Sequence, residues 1–160
     1  MPVLSAGLLL YRRGADGVEV LIAHMGGPFW TGKDARSWSI PKGEYGSDEE
    51  PLTAARREFE EELGLPAPEG EYRMLGAFRQ RSGKVVTVYA LEADLVVDAI
   101  ASNTFPLEWP PRSGRTVEFP EVDEARWLSL AVAREKLVAG QVAALDALAE
   151  LAGDGAASGE

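Results

Sequence analysis

The stretch from Gly43 to Leu65, GEYGSDEEPLTAARREFEEELGL, constrains this chain more than the rest of its 160 residues together. It dictates a glycine-started loop running into one amphipathic helix. Pro51 is tolerated in a first helical turn and Gly64 stands where a C′ glycine ends one, so a helix is expected from about Glu50 to Leu63. At about 100° per residue, Leu52, Ala55, Phe59 and Leu63 fall within about 80° of one another and form an apolar stripe. Glu58, Glu61 and Glu62 gather on one flank, spread over about 100°, while Glu60 points away. The i,i+3 and i,i+4 spacing sets Glu58 beside both other glutamates, an arrangement that costs a bare helix about 0.2–0.5 kcal/mol per pair. Arg57 alone is a weak remedy, whereas a divalent cation reverses the sign of the interaction. Carboxylate oxygens with no neighbouring His or Cys suit a hard ion, Mg²⁺ or Mn²⁺, better than Zn²⁺.

Around this segment the chain reads as alternating strands and helices. Val3–Tyr11 and Val18–His24 are strands joined by the turn Gly14–Gly17. Residues 26–37 form a loop with Pro28, Phe29 and Trp30, and Trp38-Ser39-Ile40 is a short apolar piece stopped by Pro41. Tyr72–Gln80 and Lys84–Val97 form a hairpin about Arg81-Ser82-Gly83, followed by a long loop over 98–120 containing four prolines. Ala125–Leu128 is a last strand, with helices over about Leu130–Val138 and Gln141–Leu151. Val142, Leu145, Leu148 and Leu151 recur at helical spacing, as a buried face or a dimer surface. This order predicts an α/β fold with a mixed sheet between helices. One domain is expected over 1–152, with a Gly/Ala/Ser-rich, flexible tail over 153–160.

Charge narrows the partners. With 26 acidic against 16 basic residues and a net charge of −10, the surface disfavours nucleic acid and anionic membrane, yet permits a small phosphorylated ligand in a locally basic cleft. No cysteine is present, which excludes thiolate metal sites and suits a reducing cytoplasm. The apolar run Leu8-Leu9-Leu10 is too short for a membrane span, and its arginines follow it, unlike those of a signal peptide.

The spacing Gly43, five residues, Glu49, seven residues, Arg57-Glu58-Phe59-x-Glu61-Glu62-x-Gly64-Leu65 resembles the Nudix box, G-x5-E-x7-R-E-U-x-E-E-x-G-U, with every specified position filled. The resemblance implies a Nudix-type α/β/α sandwich and a metal-dependent pyrophosphohydrolase. It would cleave a diphosphate linkage in a nucleoside polyphosphate or another nucleoside diphosphate derivative, using water and Mg²⁺ or Mn²⁺. Glu58, Glu61 and Glu62 are then the metal ligands, completed by a backbone carbonyl of Lys42 or Gly43. Gly43, Glu49, Arg57 and Gly64 are the structural members of the box, with Arg57 and Glu49 tying loop to helix. The general base is a box glutamate or a later one, and of Glu118 and Glu121 the second is favoured.

The preceding Trp38-Ser39-Ile40-Pro41-Lys42-Gly43 resembles the W-x-x-P-K-G entry of relatives acting on dinucleoside polyphosphates and nucleoside triphosphates. Lys42, Arg79 and Arg81 are accordingly candidate phosphate clamps, as are Lys84, Arg112 and Arg115. Trp30, Phe105 and Trp109 offer rings for stacking on a base or for packing, and Trp127 reads as core. His24, the only histidine, reads as structural. Nucleotide sugars or ADP-ribose are the rival substrates, and a nucleotide-binding regulatory module is the rival class. Monomer and homodimer are both open.

Overall fold

The computed structural model describes residues 3–153, so the expected tail beyond Gly153 lies outside the described residues. Nine strands and three helices follow one another as β1 (Leu4–Gly14), β2 (Gly17–Met25), β3 (Trp38–Ser39), β4 (Lys42–Glu44), α1 (Pro51–Leu63), β5 (Arg73–Arg79), β6 (Val85–Glu92), β7 (Thr104–Glu108), β8 (Thr116–Pro120), β9 (Val122–Ser129), α2 (Leu130–Lys136) and α3 (Val142–Ala152). Seven strands form one mixed sheet. β6 lies parallel to β1, and the other pairings in that sheet are antiparallel.

Both faces of the sheet are covered. Leu8 and Leu10 of β1 pack with Leu21, Ala54, Ala55, Phe59 and Leu63 on the α1 side. Leu9 packs with Ile22, Val86, Val88, Ala133, Leu145 and Leu148 on the side of α2 and α3. A strand buried on both faces needs no alternation, which is why Leu8-Leu9-Leu10 runs unbroken. Leu145 and Leu148 are fully buried and Val142 and Leu151 pack against them, so this face is core. Trp127 joins the α1-side core, donates its indole N–H to the Leu95 carbonyl at 2.9 Å and carries Arg12 on its ring.

The feature that makes room for a site is a fork in the sheet. β1 and β2 pair directly only from Tyr11–Val20 to Gly14–Gly17. Beyond that they part, and the connection between them fills the wedge. β3 pairs β2 at Ala23 and His24, while β4 pairs β1 at Ser5, Ala6 and Gly7. Between β3 and β4 the strap Ile40-Pro41 is held where the Leu8 N–H donates to the Pro41 carbonyl at 3.0 Å. Lys42 and Gly43, expected in a loop, belong to a three-residue strand.

Further differences have local causes. The expected loop 98–120 contains the hairpin β7–β8, paired from Thr104–Pro120 to Glu108–Thr116. Prolines mask it in sequence, but each strand of a two-stranded ribbon has an edge needing no N–H donor. The second strand of the central hairpin stops at Glu92 rather than Val97, and α2 stops at Lys136. Residues 139–141 form a 3₁₀ turn before α3. Along α1 the buried residues are Ala54, Ala55, Phe59, Glu62 and Leu63; Leu52, expected in the stripe, is half-buried. Phe59 is fully buried in the α1 core, so Phe59→Ala is expected to cost about 3–5 kcal/mol in denaturant unfolding.

Candidate functional site

Helix α1 is placed by its two ends. Glu50 precedes Pro51 in extended conformation, and Gly64 adopts φ +72° while its N–H donates to the Glu60 carbonyl. A left-handed residue there favours glycine, and a Cβ would in addition meet the Ala101 backbone oxygen at 2.5 Å. The loop after β6 is stitched onto this end. Ala101 N–H donates to the Leu63 carbonyl and Asn103 N–H to the Glu61 carbonyl.

Arg57 organises the carboxylates. Its Nε and Nη2 donate to the two oxygens of Glu49, both at 2.9 Å, a bidentate pair of the kind a guanidinium fork favours. Its Nη1 donates to Glu58 at 2.8 Å and Glu61 at 3.2 Å, and Nη2 also reaches the Glu44 carbonyl at 3.4 Å. One side chain thus joins the loop before the helix, β4 and two helix glutamates. These bonds raise Arg57 above its ordinary pKa and lower that of Glu49.

Gly43 permits the closest approach in the site. A Cβ there would lie 2.0 Å from the Glu58 carboxyl carbon, so the Glu58 carboxyl group occupies the space of a missing side chain. Glu58 is raised above the usual carboxylate range, first by burial and against the pull of Arg57. Glu62 is more deeply enclosed. Its Oε1 accepts the Lys42 N–H at 3.4 Å, and burial pushes its pKa from 4.5 up to about 8. Lys42 lowers it, while Glu58 and Glu121 raise it further.

Glu121 reaches the same cleft from the opposite wall. Its N–H donates to the Asn103 carbonyl at 2.8 Å and its carbonyl accepts the Gly26 N–H at 3.0 Å. The cleft, about 370 Å³, is lined by Glu58, Glu61, Glu62 and Glu121 with Lys42 and Gly43, the predicted residues. Asn103, Thr104, Glu44 and Lys84 line it too; Lys84 is ion-paired with Glu44 at 3.2 Å. Asn103 and Thr104 lie in the misread proline-rich segment, and no sequence signal placed them. Glu118, the other candidate base, lines neither this cleft nor its neighbour and accepts a hydrogen bond from Thr104 at 2.7 Å.

A second cavity of about 550 Å³ adjoins the cleft, with Lys42 in the wall of both. Trp30, Met25 and Val138 give it an apolar lining, and Arg36, Arg81, Gln80 and Gln141 a polar one. Of the predicted substrate residues, Lys42, Arg81 and Trp30 meet here. Arg79 does not. It is exposed, lines neither cavity and directs its guanidinium to the Gly83 carbonyl. Arg112 and Arg115 also stand exposed at the hairpin tip, away from both. Phe105 packs on Phe119 and under Gly27, and Trp109 meets Phe29 edge-on at 5.7 Å, so both rings are used in packing. His24 is buried between Asp123 and the Lys33 carbonyl, at 2.8 and 2.7 Å, in a structural role.

Among the described residues no three His, Cys, Asp or Glu side chains already stand close enough together to hold a metal ion. Glu58 and Glu61 are held by Arg57 instead. The donor set nevertheless fits a hard dication. Every donor is oxygen, Glu58 fills the space at Gly43, and Glu62 is a buried carboxyl that accepts only the Lys42 N–H among the described residues.

A NUDIX domain model matches residues 1–148, and the chain belongs to the Nudix family, whose hydrolases act on pyrophosphate bonds and generally use divalent metals. Similar solved structures include the Nudix domain of Shewanella oneidensis NrtR in complex with ADP ribose. It shares 16% identity and a TM-score of 0.64, over 94% of this chain and 88% of that one. The Ap4A hydrolase of C. elegans in a binary complex shares 22% identity at a TM-score of 0.62, over 93% and 98% of the two chains. A Nudix hydrolase from M. smegmatis, RenU, shares 27% identity at a TM-score of 0.54, over 94% and 85%. No curated protein matches the chain.

The raised pKa of Glu62 has a measurable consequence without metal. A folded-state value above the unfolded one contributes stability that is complete below about 4.5 and is lost as pH rises through about 8. Glu58 adds to the slope with the same sign. In chelator, the melting temperature of the wild type is expected to fall across that window, and Glu62→Gln to flatten the fall; thermal melts at a series of pH values check it.

Proposed function

We propose that this chain is a Mg²⁺- or Mn²⁺-dependent pyrophosphohydrolase that cleaves a diphosphate linkage in a nucleoside polyphosphate, with dinucleoside polyphosphates and nucleoside triphosphates foremost. The observation that carries this is the pairing of two cavities across Lys42. One is a carboxylate-rich cleft suited to a metal-bound phosphate chain; the other is an apolar cavity with Trp30, suited to a flat ring. Within the W-S-I-P-K-G entry, Ser39 and Lys42 line the apolar cavity and Lys42 and Gly43 the cleft.

Glu58, Glu61 and Glu62, with a backbone carbonyl of Lys42 or Gly43, would hold the ion. Bound there, it would neutralise phosphate charge and lower the pKa of attacking water. The chain's own groups do the rest. Arg57 holds Glu58 and Glu61 to the loop, so that their carboxylates are positioned before a ligand arrives. Lys42 supplies a cation to a phosphate oxygen at the junction of the cavities. Glu121, exposed in the cleft and fixed by both backbone groups, serves as the base that takes a proton from water. Arg81 contacts the far end of the ligand from the side cavity.

A second reading takes ADP-ribose or a nucleotide sugar as substrate, supported by the similarity to a Nudix domain complexed with ADP ribose. A binding module that does not cut is disfavoured by the full set of box carboxylates. The small phosphorylated ligand remains the expected partner of so acidic a chain, and no helix among the described residues is long and apolar enough to cross a membrane.

A panel of nucleoside triphosphates, dinucleoside polyphosphates, ADP-ribose and nucleotide sugars, assayed in Mg²⁺ and in Mn²⁺ with products identified by mass, tests the assignment. Hydrolysis of the first two classes is expected, and silence across the panel would overturn it. Glu58→Gln and Glu62→Gln are each expected to cut turnover by about 10²–10⁴-fold or more, with the fold intact by circular dichroism. Near-normal rates in both would remove the metal-site assignment.

A further inference from the structure

Gln141 is a buried polar residue that touches both the strap leading into the cleft and the wall of the side cavity. It is 1% exposed, closes the 3₁₀ turn and stands immediately before α3. Its Oε1 accepts the Ile40 N–H at 2.8 Å. Its Nε2 donates to Ser39 Oγ and to Gln80 Oε1, each at 3.0 Å. A backbone N–H can only donate, so the first bond fixes which end of the amide is oxygen. Both donors of the NH₂ group then face Ser39 and Gln80, and every principal valence of the side chain is used. The order runs onward. Gln80 must present its oxygen to Gln141, which leaves its own NH₂ group, unpartnered among the described residues, at the wall of the side cavity.

The surroundings make this arrangement stiff. Gly140 lets the turn press on β5; a Cβ there would meet the Gln80 Cα at 2.8 Å. Val138 N–H donates to the Trp38 carbonyl at 3.0 Å, so the same segment also runs along β3. The strap is thereby pinned at three successive residues. Ile40 is held by Gln141, Pro41 by the Leu8 N–H, and Lys42 by Glu62. A shift at Ile40 is transmitted in two residues to the backbone that faces Glu58 and Glu62.

We infer that Gln141 is a positioning residue: its amide carbonyl sets the height of the Ile40–Gly43 strap beneath the α1 glutamates, and its NH₂ group orients Gln80 as a hydrogen-bond donor toward the ligand in the side cavity. The Mn²⁺ arm of the test rests on the metal site proposed above and the activity arm on the hydrolase assignment, while the exchange arm rests on neither.

The variants are Gln141→Met, which keeps the volume and removes the amide, Gln141→Asn, which keeps the amide but is too short to span, and Gln141→Glu, which keeps an oxygen for Ile40. Three readouts apply: exchange of the Ile40 amide in metal-free protein, Mn²⁺ affinity without substrate, and kcat and KM on whichever panel compound the wild type cuts. In Gln141→Met and Gln141→Asn the Ile40 amide is expected to exchange at least tenfold faster and Mn²⁺ to bind at least fivefold more weakly. In Gln141→Glu both are expected to return to within threefold of wild type. In Gln141→Met and Gln141→Asn, kcat is expected to fall at least tenfold and KM to rise, from the two ends of the amide respectively. A lowered melting temperature with Mn²⁺ affinity and kcat within twofold of wild type would overturn the inference, as would equal losses in all three variants. Should Gln141→Met not fold, the comparison of Gln141→Asn with Gln141→Glu decides it on the same thresholds. A wild type that cuts nothing, with the Mn²⁺ and exchange pattern intact, would sink the hydrolase assignment and leave the positioning role standing.

Discussion

The Arg57 guanidinium is the constraint on which the site turns. A helix with glutamates at 58, 61 and 62 repels itself, and the loop that must face it has little regular pairing of its own. One planar cation resolves both problems, since its fork grips Glu49 on the loop while its remaining edge reaches two helix carboxylates and the Glu44 carbonyl. A lysine has neither the planar fork nor the number of donors to do this. Its contribution is organisational, because a half-exposed ion pair of this kind adds little to global stability. What it supplies is order in the carboxylates before anything binds.

The sheet fork explains why the two cavities adjoin. Had β1 and β2 paired along their full length, the connection between them would have been an ordinary loop outside the sheet. Because they separate after Val20, the strap is drawn into the plane and its residues face two ways. Gly43 turns toward α1, where Glu58 lies against it. Ser39 and Ile40 turn toward the 3₁₀ turn and Gln141. Lys42 stands at the crossing and lines both spaces.

Much of this was legible before any coordinates. The helix from Pro51 to Leu63, its buried Phe59 and the gathering of the glutamates follow from a 3.6-residue period and two punctuating residues. The doubly covered sheet follows from Leu8-Leu9-Leu10 and the order of the elements. What stayed hidden depends on distance along the chain. That Glu62 is buried while Glu61 is not is set by strands the helix pattern does not contain. The β7–β8 ribbon was concealed by its prolines, which a free strand edge tolerates. Gln141 reads in sequence as an unremarkable helix-start residue, and its partners lie 61 to 102 positions away. Arg79 and Arg81 were indistinguishable in sequence, yet β5 ends at Arg79 and only Arg81, in the turn beyond it, lines a cavity wall.

Glu121 is fastened by its peptide groups, one to Asn103 and the other to Gly26, and the first of these leads back to α1 through the Glu61 carbonyl. The ribbon that precedes it is therefore not what holds it. Residues 110–114, at the far turn of that ribbon, are free to lengthen, shorten or change character while the carboxylate keeps its station. A scaffold arranged in this way leaves the far turn of the ribbon outside the backbone network that fixes the carboxylate. Substitution can explore the one without dismantling the other.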